Sequence, residues 1–180
     1  MKEQQKKYEL TGEFIEHWSG KKLYRIRALV TFGAVVAGQL GGFIESEKNL
    51  DQSLSGNAWV SGDAEVSGNA WVYGDAEVYG DARVYGDARV SGNARVRSHA
   101  VISEHKMIFW ASNVGSENGT LTVFNGKDGL IVTRGCFTGT VDEFLAKSAE
   151  VHDDKTKNEY KLLIEVAKSR ILEVKNETKF

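Results

Sequence analysis

Seven copies of one six-residue unit follow one another without a break from residue 56 to residue 97. Each unit reads Gly-(Asn/Asp)-Ala-x-Val-y, and the seven are GNAWVS, GDAEVS, GNAWVY, GDAEVY, GDARVY, GDARVS and GNARVR. A strict short period places every unit in nearly the same surroundings, so the chain must wind about an axis as a solenoid. The repeat therefore predicts the fold of the middle of the chain, but it leaves the function open.

The residue types of the unit indicate the role of each position. Valine is β-branched and suits an extended backbone, and its recurrence every six residues marks it as the inward-facing position. Alanine, two residues earlier, faces the same way, while glycine and the following Asn or Asp suit a tight corner. The positions on either side of valine face outward. We therefore predict one buried column, formed by Val60, Val66, Val72, Val78, Val84, Val90 and Val96.

This period of six with inward aliphatic residues resembles the hexapeptide repeat of left-handed parallel β-helix proteins, the family that includes the hexapeptide acyltransferases. Residues 98–103 add a weaker eighth unit, in which His99 replaces the Asn or Asp. Ile44 and Leu50, six residues apart, extend the pattern towards the N-terminus. The resemblance implies that three units make one triangular coil, with successive coils about 4.8 Å apart.

Stacking of successive coils predicts contacts between outward side chains. Opposite charges are expected to meet between Glu65 and Arg83 and between Glu77 and Arg95. The outward aromatic residues are numerous for a small exposed surface, so we expect a homo-oligomer, with a trimer favoured. These aromatic residues are Trp59, Trp71, Tyr73, Tyr79 and Tyr85.

The limits of the period divide the chain into an N-terminal strand and irregular first coil (1–55), the repeat section (56–103) and a C-terminal α+β domain (104–180). Alternation over residues 23–30 predicts a strand, and apolar runs predict three more at 107–111, 120–124 and 130–134, with a hairpin turn over 125–129. Thr140 and Glu143 form a capping-box signature for a helix that ends near Val151. A second helix is indicated by apolar residues spaced by three and four, namely Tyr160, Ile164, Ala167, Ile171 and Val174.

The fold class predicted from these elements is mainly β: a left-handed parallel β-helix with a short N-terminal β segment and a C-terminal α+β appendage. Sequence outside the repeats resembles a group of hexapeptide-repeat proteins common in phage and prophage genomes and often labelled hexapeptide transferases. The resemblance is carried by Leu23-Tyr-Arg-Ile, Leu40-Gly-Gly-Phe, Glu47-Lys-Asn-Leu50, the segment from Gly115 to Thr122, the segment from Gly135 to Thr140, and the residues Glu143, Phe144, His152 and Tyr160. It implies a phage-encoded accessory protein acting in the cytoplasm of the host cell.

Composition limits the classes of function. The net charge of −2 gives no bulk attraction to nucleic acid or to a membrane surface. The single cysteine, Cys136, excludes an internal disulfide and a paired-cysteine metal motif, and no metal site is predicted. No apolar run is long enough to span a membrane, and the first ten residues lack the apolar core of a signal peptide. These features favour a cytoplasmic protein.

Arginine, tyrosine and tryptophan alternate towards the end of the repeats, and this combination can bind a phosphate while stacking a base. We therefore expect a non-enzymatic, homo-oligomeric protein that binds or sequesters an anionic, nucleotide-like small molecule without a cofactor. Pockets form where two surfaces meet, so the site is expected between the last coils and the C-terminal domain. The predicted ligand-binding residues are Arg95, Arg97, His99, Trp110, Ser116, Asn118, Arg134 and Phe137.

Two alternatives belong to other functional classes. The resemblance to acyltransferases implies an enzyme that uses acetyl-CoA, with His99 as general base and Asp81, stacked beneath it, as the residue that orients it. The unbroken repeats contain no protruding loop of the kind that shapes the active site in that family. The third possibility is a purely structural assembly protein.

Overall fold

The computed structural model describes residues 4–177, and the side chains of residues 4–172. The N-terminal segment forms an antiparallel sheet in which β1 (Tyr8–Glu16) pairs with β2 (Lys22–Ala28), and β2 pairs with β3 (Leu40–Ile44). The sequence predicted β2 but missed β1. The alternation of β1 is weak because most of its side chains are half-buried or exposed, and its register shifts between Leu10 and Phe14.

The repeats form a β-solenoid of about three turns, as predicted. Each unit contributes a two-residue strand: β4 (Trp59–Val60), β5 (Glu65–Val66), β6 (Trp71–Val72), β7 (Glu77–Val78), β8 (Arg83–Val84), β9 (Arg89–Val90) and β10 (Arg95–Val96), followed by β11 (Val101–Ile102). The strands pair in parallel on three faces. The first face contains β3, β5, β8 and β11, the second contains β4, β7 and β10, and the third contains β6 and β9.

The predicted buried column is confirmed. All seven repeat valines have no exposed surface, and the repeat alanines are equally buried. The column continues to Ile44, which pairs with Val66, and to Leu50, which pairs with Val72. Outside the core, the predicted ion pairs also form: Arg95 lies 3.8 Å from Glu77, and Arg83 lies 3.8 Å from Glu65.

The C-terminal segment forms a four-stranded antiparallel sheet with two helices. The strands are β12 (Ile108–Val114), β13 (Gly119–Gly126), β14 (Gly129–Arg134) and β15 (Phe137–Thr140), and the helices are α1 (Val141–Val151) and α2 (Asp154–Glu177). The hairpin turn between β13 and β14 and the Thr140–Glu143 capping box are both present, as predicted. Short β15 was missed. In α2, Tyr160, Ile164, Ala167 and Ile171 are buried, whereas Val174 lies outside the described side chains.

The N-terminal end of the solenoid is closed by polar side chains. The Lys7 ammonium is fully buried and donates to the carbonyls of Gly56 and Ala58, at 3.3 and 3.2 Å. The Asn49 amide donates to the carbonyls of Gly68 and Ala70, at 3.1 and 2.9 Å. These contacts satisfy backbone groups of the first coil that have no preceding coil to pair with.

The C-terminal sheet closes the opposite end. The backbone N–H of Arg95 donates to the Thr122 hydroxyl at 3.1 Å, and the Thr133 hydroxyl donates to the Arg95 carbonyl at 2.7 Å. The Asn125 amide donates to the Val101 carbonyl at 3.0 Å. Phe124 of β13 belongs to the same buried cluster as the repeat valines, so the core continues from the solenoid into the sheet.

Candidate ligand-binding site

A groove of about 520 Å³ lies on the second face of the solenoid. Its floor is formed by outward residues of successive coils, and its wall is a loop of the N-terminal segment, residues 33–39. We call this space the face groove. Its lining residues are Gly33, Ala34, Val35, Gln39, Asn57, Trp59, Ser61, Asp75, Glu77, Tyr79, Asn93 and Arg95. The volume lies within the range of small-molecule sites.

A tight turn holds the wall against the floor. Phe32 and Val35 exchange two backbone hydrogen bonds of 3.0 and 2.8 Å, and both side chains are buried. Between them, Gly33 has a φ of +49° and would bring a Cβ to 3.3 Å from the Asn57 side chain. A side chain at this position would therefore strain the turn and crowd the groove.

Trp59 corrects one expectation from the sequence. It was counted among the exposed aromatic residues, but only 5% of its surface is exposed, because the N-terminal segment covers the first coil. Its ring packs edge-on against Phe32 and Tyr8, with centroids 5.4 and 6.3 Å away. Its indole N–H is buried without a hydrogen-bond partner among the described residues. Trp59 therefore fixes the wall of the groove.

The groove carries both signs of charge. Arg95 is about half exposed and faces Glu77 at 3.8 Å, a separation that leaves the guanidinium without a hydrogen bond to that carboxylate. Asp75 accepts hydrogen bonds from the backbone N–H and the side-chain amide of Asn57, at 3.0 and 3.1 Å. The floor therefore offers one cation, two carboxylates and several amides within reach of one small molecule.

Tyr79 lines the middle of the groove, and Arg97 of the last coil covers its ring. The guanidinium carbon of Arg97 lies 4.7 Å from the centroid of the Tyr79 ring, within the range of a cation–π contact. Burial raises the pKa of the Tyr79 phenol, with Glu77 acting in the same direction and Arg97 and Arg95 opposing. The phenol therefore stays protonated at neutral pH and can donate a hydrogen bond.

The structure does not gather the eight predicted residues into one cavity. Arg95 lines the face groove, and His99 lines a separate cavity of about 240 Å³ beside the β13–β14 turn. Ser116, Arg134 and Phe137 line a third cavity of about 250 Å³ between the C-terminal sheet and its helices. The His99 cavity lies at the predicted boundary, because Ser98 and His99 of the last coil face residues 127–131 and 138–140 of the C-terminal segment.

Three predicted residues line none of these cavities. Trp110 is half-buried against the solenoid core, with its indole nitrogen close to Gly92. Asn118 lies in the turn between β12 and β13 with a φ of +50°. Arg97 lies between two of the cavities. Its Nη2 donates to the carbonyl of Gly135, which lines the third cavity, at 3.3 Å, and its guanidinium covers Tyr79, which lines the face groove. Ligand binding by these residues stays a prediction.

The alternative catalytic pair is close but open to solvent. The Nδ1 atom of His99 lies 3.9 Å from the Asp81 carboxylate, and the two side chains are 65% and 64% exposed. This distance is too long for the hydrogen bond that would orient a general base. The surrounding surface is also too open to exclude water from a reaction.

Sequence reasoning missed the residues of the wall. The column of Asn57, Asp75 and Asn93 at one repeat position was visible in the sequence, but turn capping explained it. The wall loop carries no motif, so no sequence signal placed it over that column.

Among the described residues, no group of three or more His, Cys, Asp or Glu side chains could hold a metal ion. None of the helices within residues 4–177 has the length and apolar character needed to cross a membrane.

Comparison of the chain with known protein families, with curated proteins and with solved structures finds no match.

Proposed function

We propose that the chain is a non-enzymatic binding protein whose face groove holds an anionic, nucleotide-like small molecule. The observation that carries this proposal is the combination, in one groove of about 520 Å³, of an arginine whose guanidinium has no hydrogen bond among the described residues, a tyrosine ring and several amide side chains. Each of these groups matches one part of a nucleotide.

Arg95 supplies a charge-assisted hydrogen bond to a phosphate. Tyr79 supplies an aromatic surface beside a cation, an arrangement that favours stacking of a base. The amides of Asn57 and Asn93 can pair with the polar edge of that base, and Glu77 can accept from the hydroxyl groups of a sugar. The carboxylates repel a phosphate group, so contacts to the base and the sugar are needed for binding.

A ligand screen tests the proposal. Thermal shift of the intact protein is measured with cyclic nucleotides, ADP-ribose derivatives and CoA esters, because a ligand that binds the native state raises its apparent stability. Any compound that shifts the melting temperature is then measured by calorimetry against Arg95→Ala. We expect at least a tenfold loss of affinity in this variant.

Arg83→Ala is the matched control. Arg83 occupies the same position of the repeat as Arg95 and faces Glu65 at the same 3.8 Å, but it lies on the first face, outside the groove. Its replacement is expected to leave affinity unchanged. The proposal is wrong if no nucleotide shifts the melting temperature, or if both variants bind a nucleotide as tightly as the parent.

We further propose a homo-oligomer, with a trimer favoured, in the cytoplasm of a host cell, as the resemblance to phage hexapeptide-repeat proteins implies. The third face supports association of copies. It carries Trp71, 38% exposed, stacked on Tyr73 with centroids 4.0 Å apart, and Arg89 lies over the indole at 6.0 Å. Such aromatic and arginine clusters are favoured at interfaces. Light scattering that reports a monomer at micromolar concentration would remove this part of the proposal.

A further inference from the structure

The cavity between the C-terminal sheet and its helices lies apart from the face groove. Its volume is about 250 Å³, and it is bounded by the turn after β14, by α1 and by the start of α2. We call it the Arg134 cavity. Six of its lining residues matter here: Arg134, Cys136, Phe137, Phe144, Lys147 and Tyr160.

Arg134 brings a largely buried cation to this cavity. Its side chain is 13% exposed, and its Nε donates to the Tyr160 hydroxyl at 2.9 Å. The nearest carboxylate belongs to Glu117, which is 83% exposed and lies 3.9 Å from Nη2, beyond hydrogen-bond distance. Among the described residues no acceptor is bonded to either terminal nitrogen. The guanidinium therefore keeps its paired donors available at the cavity.

Two glycines hold the guanidinium in place. A Cβ on Gly119 would lie 2.6 Å from the Arg134 Cζ, and a Cβ on Gly115 would overlap the Tyr160 hydroxyl. The Gly115 N–H also donates to the Glu159 carboxylate at 2.8 Å. The glycine-rich turn thus fits closely over the arginine and the tyrosine. A cation fixed in this way loses little freedom when it binds an anion.

The remaining wall is mainly aromatic, with Ser116, Ser148 and His152 as polar members. Phe137 and Phe144 meet edge to face with centroids 5.4 Å apart, and Phe144 meets Tyr160 in the same way at 5.1 Å. Lys147 adds a second cation at the rim. Planar guanidinium groups match carboxylates through two parallel hydrogen bonds. The aromatic rings offer no partners to the additional oxygens of a phosphate.

We infer that the Arg134 cavity binds a small organic carboxylate whose apolar body packs between Phe137 and Phe144. Water occupies about 30 Å³ per molecule in the liquid, so the cavity accommodates a ligand of about eight to ten non-hydrogen atoms. Benzoate has this size and this division into a carboxylate and a ring. The site does not depend on the face groove.

Cys136 provides a direct test in the unmodified protein. It is the single cysteine of the chain, it is exposed, and it lines the cavity. The rate of its alkylation by iodoacetamide is measured with increasing benzoate. We expect saturable protection, with the rate falling at least fivefold, and no protection by inorganic phosphate at equal ionic strength. An unchanged rate with benzoate contradicts the proposal, and equal protection by phosphate contradicts the choice of a carboxylate.

Variants then locate the binding. Calorimetry is expected to show at least a tenfold loss of benzoate affinity in Arg134→Gln and a partial loss in Arg134→Lys. Arg83→Gln, on the first face of the solenoid, is the control and is expected to bind benzoate normally. If Arg134→Gln fails to fold, the alkylation assay on the parent protein still decides the proposal. Full affinity in a folded Arg134→Gln variant overturns it.

Discussion

The Arg97 guanidinium lies over the Tyr79 ring at 4.7 Å, and its Nη2 donates to the Gly135 carbonyl at 3.3 Å. One side chain thus links the floor of the face groove to the turn that borders the Arg134 cavity. Its Nε is buried without a partner among the described residues, so the ring and the carbonyl determine its position.

Replacement of Arg97 should loosen the Tyr79 ring. We expect Arg97→Ala to weaken nucleotide binding in the face groove and to lower the free energy of unfolding by about 1 kcal/mol, the size of a partly desolvated cation–π contact. Calorimetry and urea denaturation measure the two effects. Arg89→Ala is the control, since this arginine also lies over an aromatic ring but on the third face. Equal nucleotide affinity in both variants would contradict a role of Arg97 in positioning Tyr79 for the ligand.

Val78 tests the buried column. It has no exposed surface and pairs with valines of the coils on both sides, so Val78→Ala leaves a cavity that neighbouring coils cannot fill. We expect the free energy of unfolding to fall by about 2 kcal/mol. The control is Val166→Ala on α2, where 47% of the side chain is exposed. The two variants should differ clearly in urea denaturation, and similar stabilities would argue against a shared core.

Lys7 should make stability depend on pH in the alkaline range. Burial lowers the pKa of its ammonium from the usual 10.5, although Asp51 and Asp75 oppose the shift. The unfolded chain therefore binds more protons between the lowered pKa and 10.5, so this residue makes stability rise with pH across that window.

The Lys7→Met variant isolates this contribution. Urea denaturation is measured at several pH values up to 10.5 for both proteins, and the difference between them should change across the window. At pH 7 we expect Lys7→Met to be less stable by about 2 kcal/mol, because the buried carbonyls of Gly56 and Ala58 lose their donor. A pH-independent difference between the two proteins would contradict the lowered pKa.

His99 separates the binding proposal from the acyltransferase alternative. Because its imidazole is exposed and lies outside the face groove, we expect His99→Ala to bind nucleotide as the parent does. Incubation of the parent with acetyl-CoA and a panel of amines and alcohols should release no free CoA above the level without protein. Turnover that is present in the parent and lost in His99→Ala would favour the enzyme.

The repeat allowed accurate prediction wherever each residue had the same neighbours as its counterpart in the next coil. Valine burial, the Glu77–Arg95 pair and the position of Asp81 beneath His99 all follow from this regularity. The capping box at Thr140 was equally predictable, because its geometry is local.

Prediction failed where contacts depend on chain segments that are distant in sequence. Trp59 occupies the same repeat position as exposed Trp71, yet it is buried, because β1 and the wall loop return over the first coil only. Likewise, the sequence does not show that Thr122 and Thr133 cap the last coil. Arg134 was likewise expected beside the repeat arginines: Arg97 reaches the adjacent Gly135, while the Arg134 side chain lines the cavity between the C-terminal sheet and its helices.

The polar contacts at both ends of the solenoid limit its length. Lys7 and Asn49 bond to carbonyls of the first coil, and Thr122 and Thr133 bond to the backbone of Arg95 in the last coil, so these backbone groups are not open to a strand of another molecule. Exposed edges are what allow sheet proteins to extend into fibrils. The repeat itself could be prolonged indefinitely, but these polar contacts end the stacking of coils after about three turns.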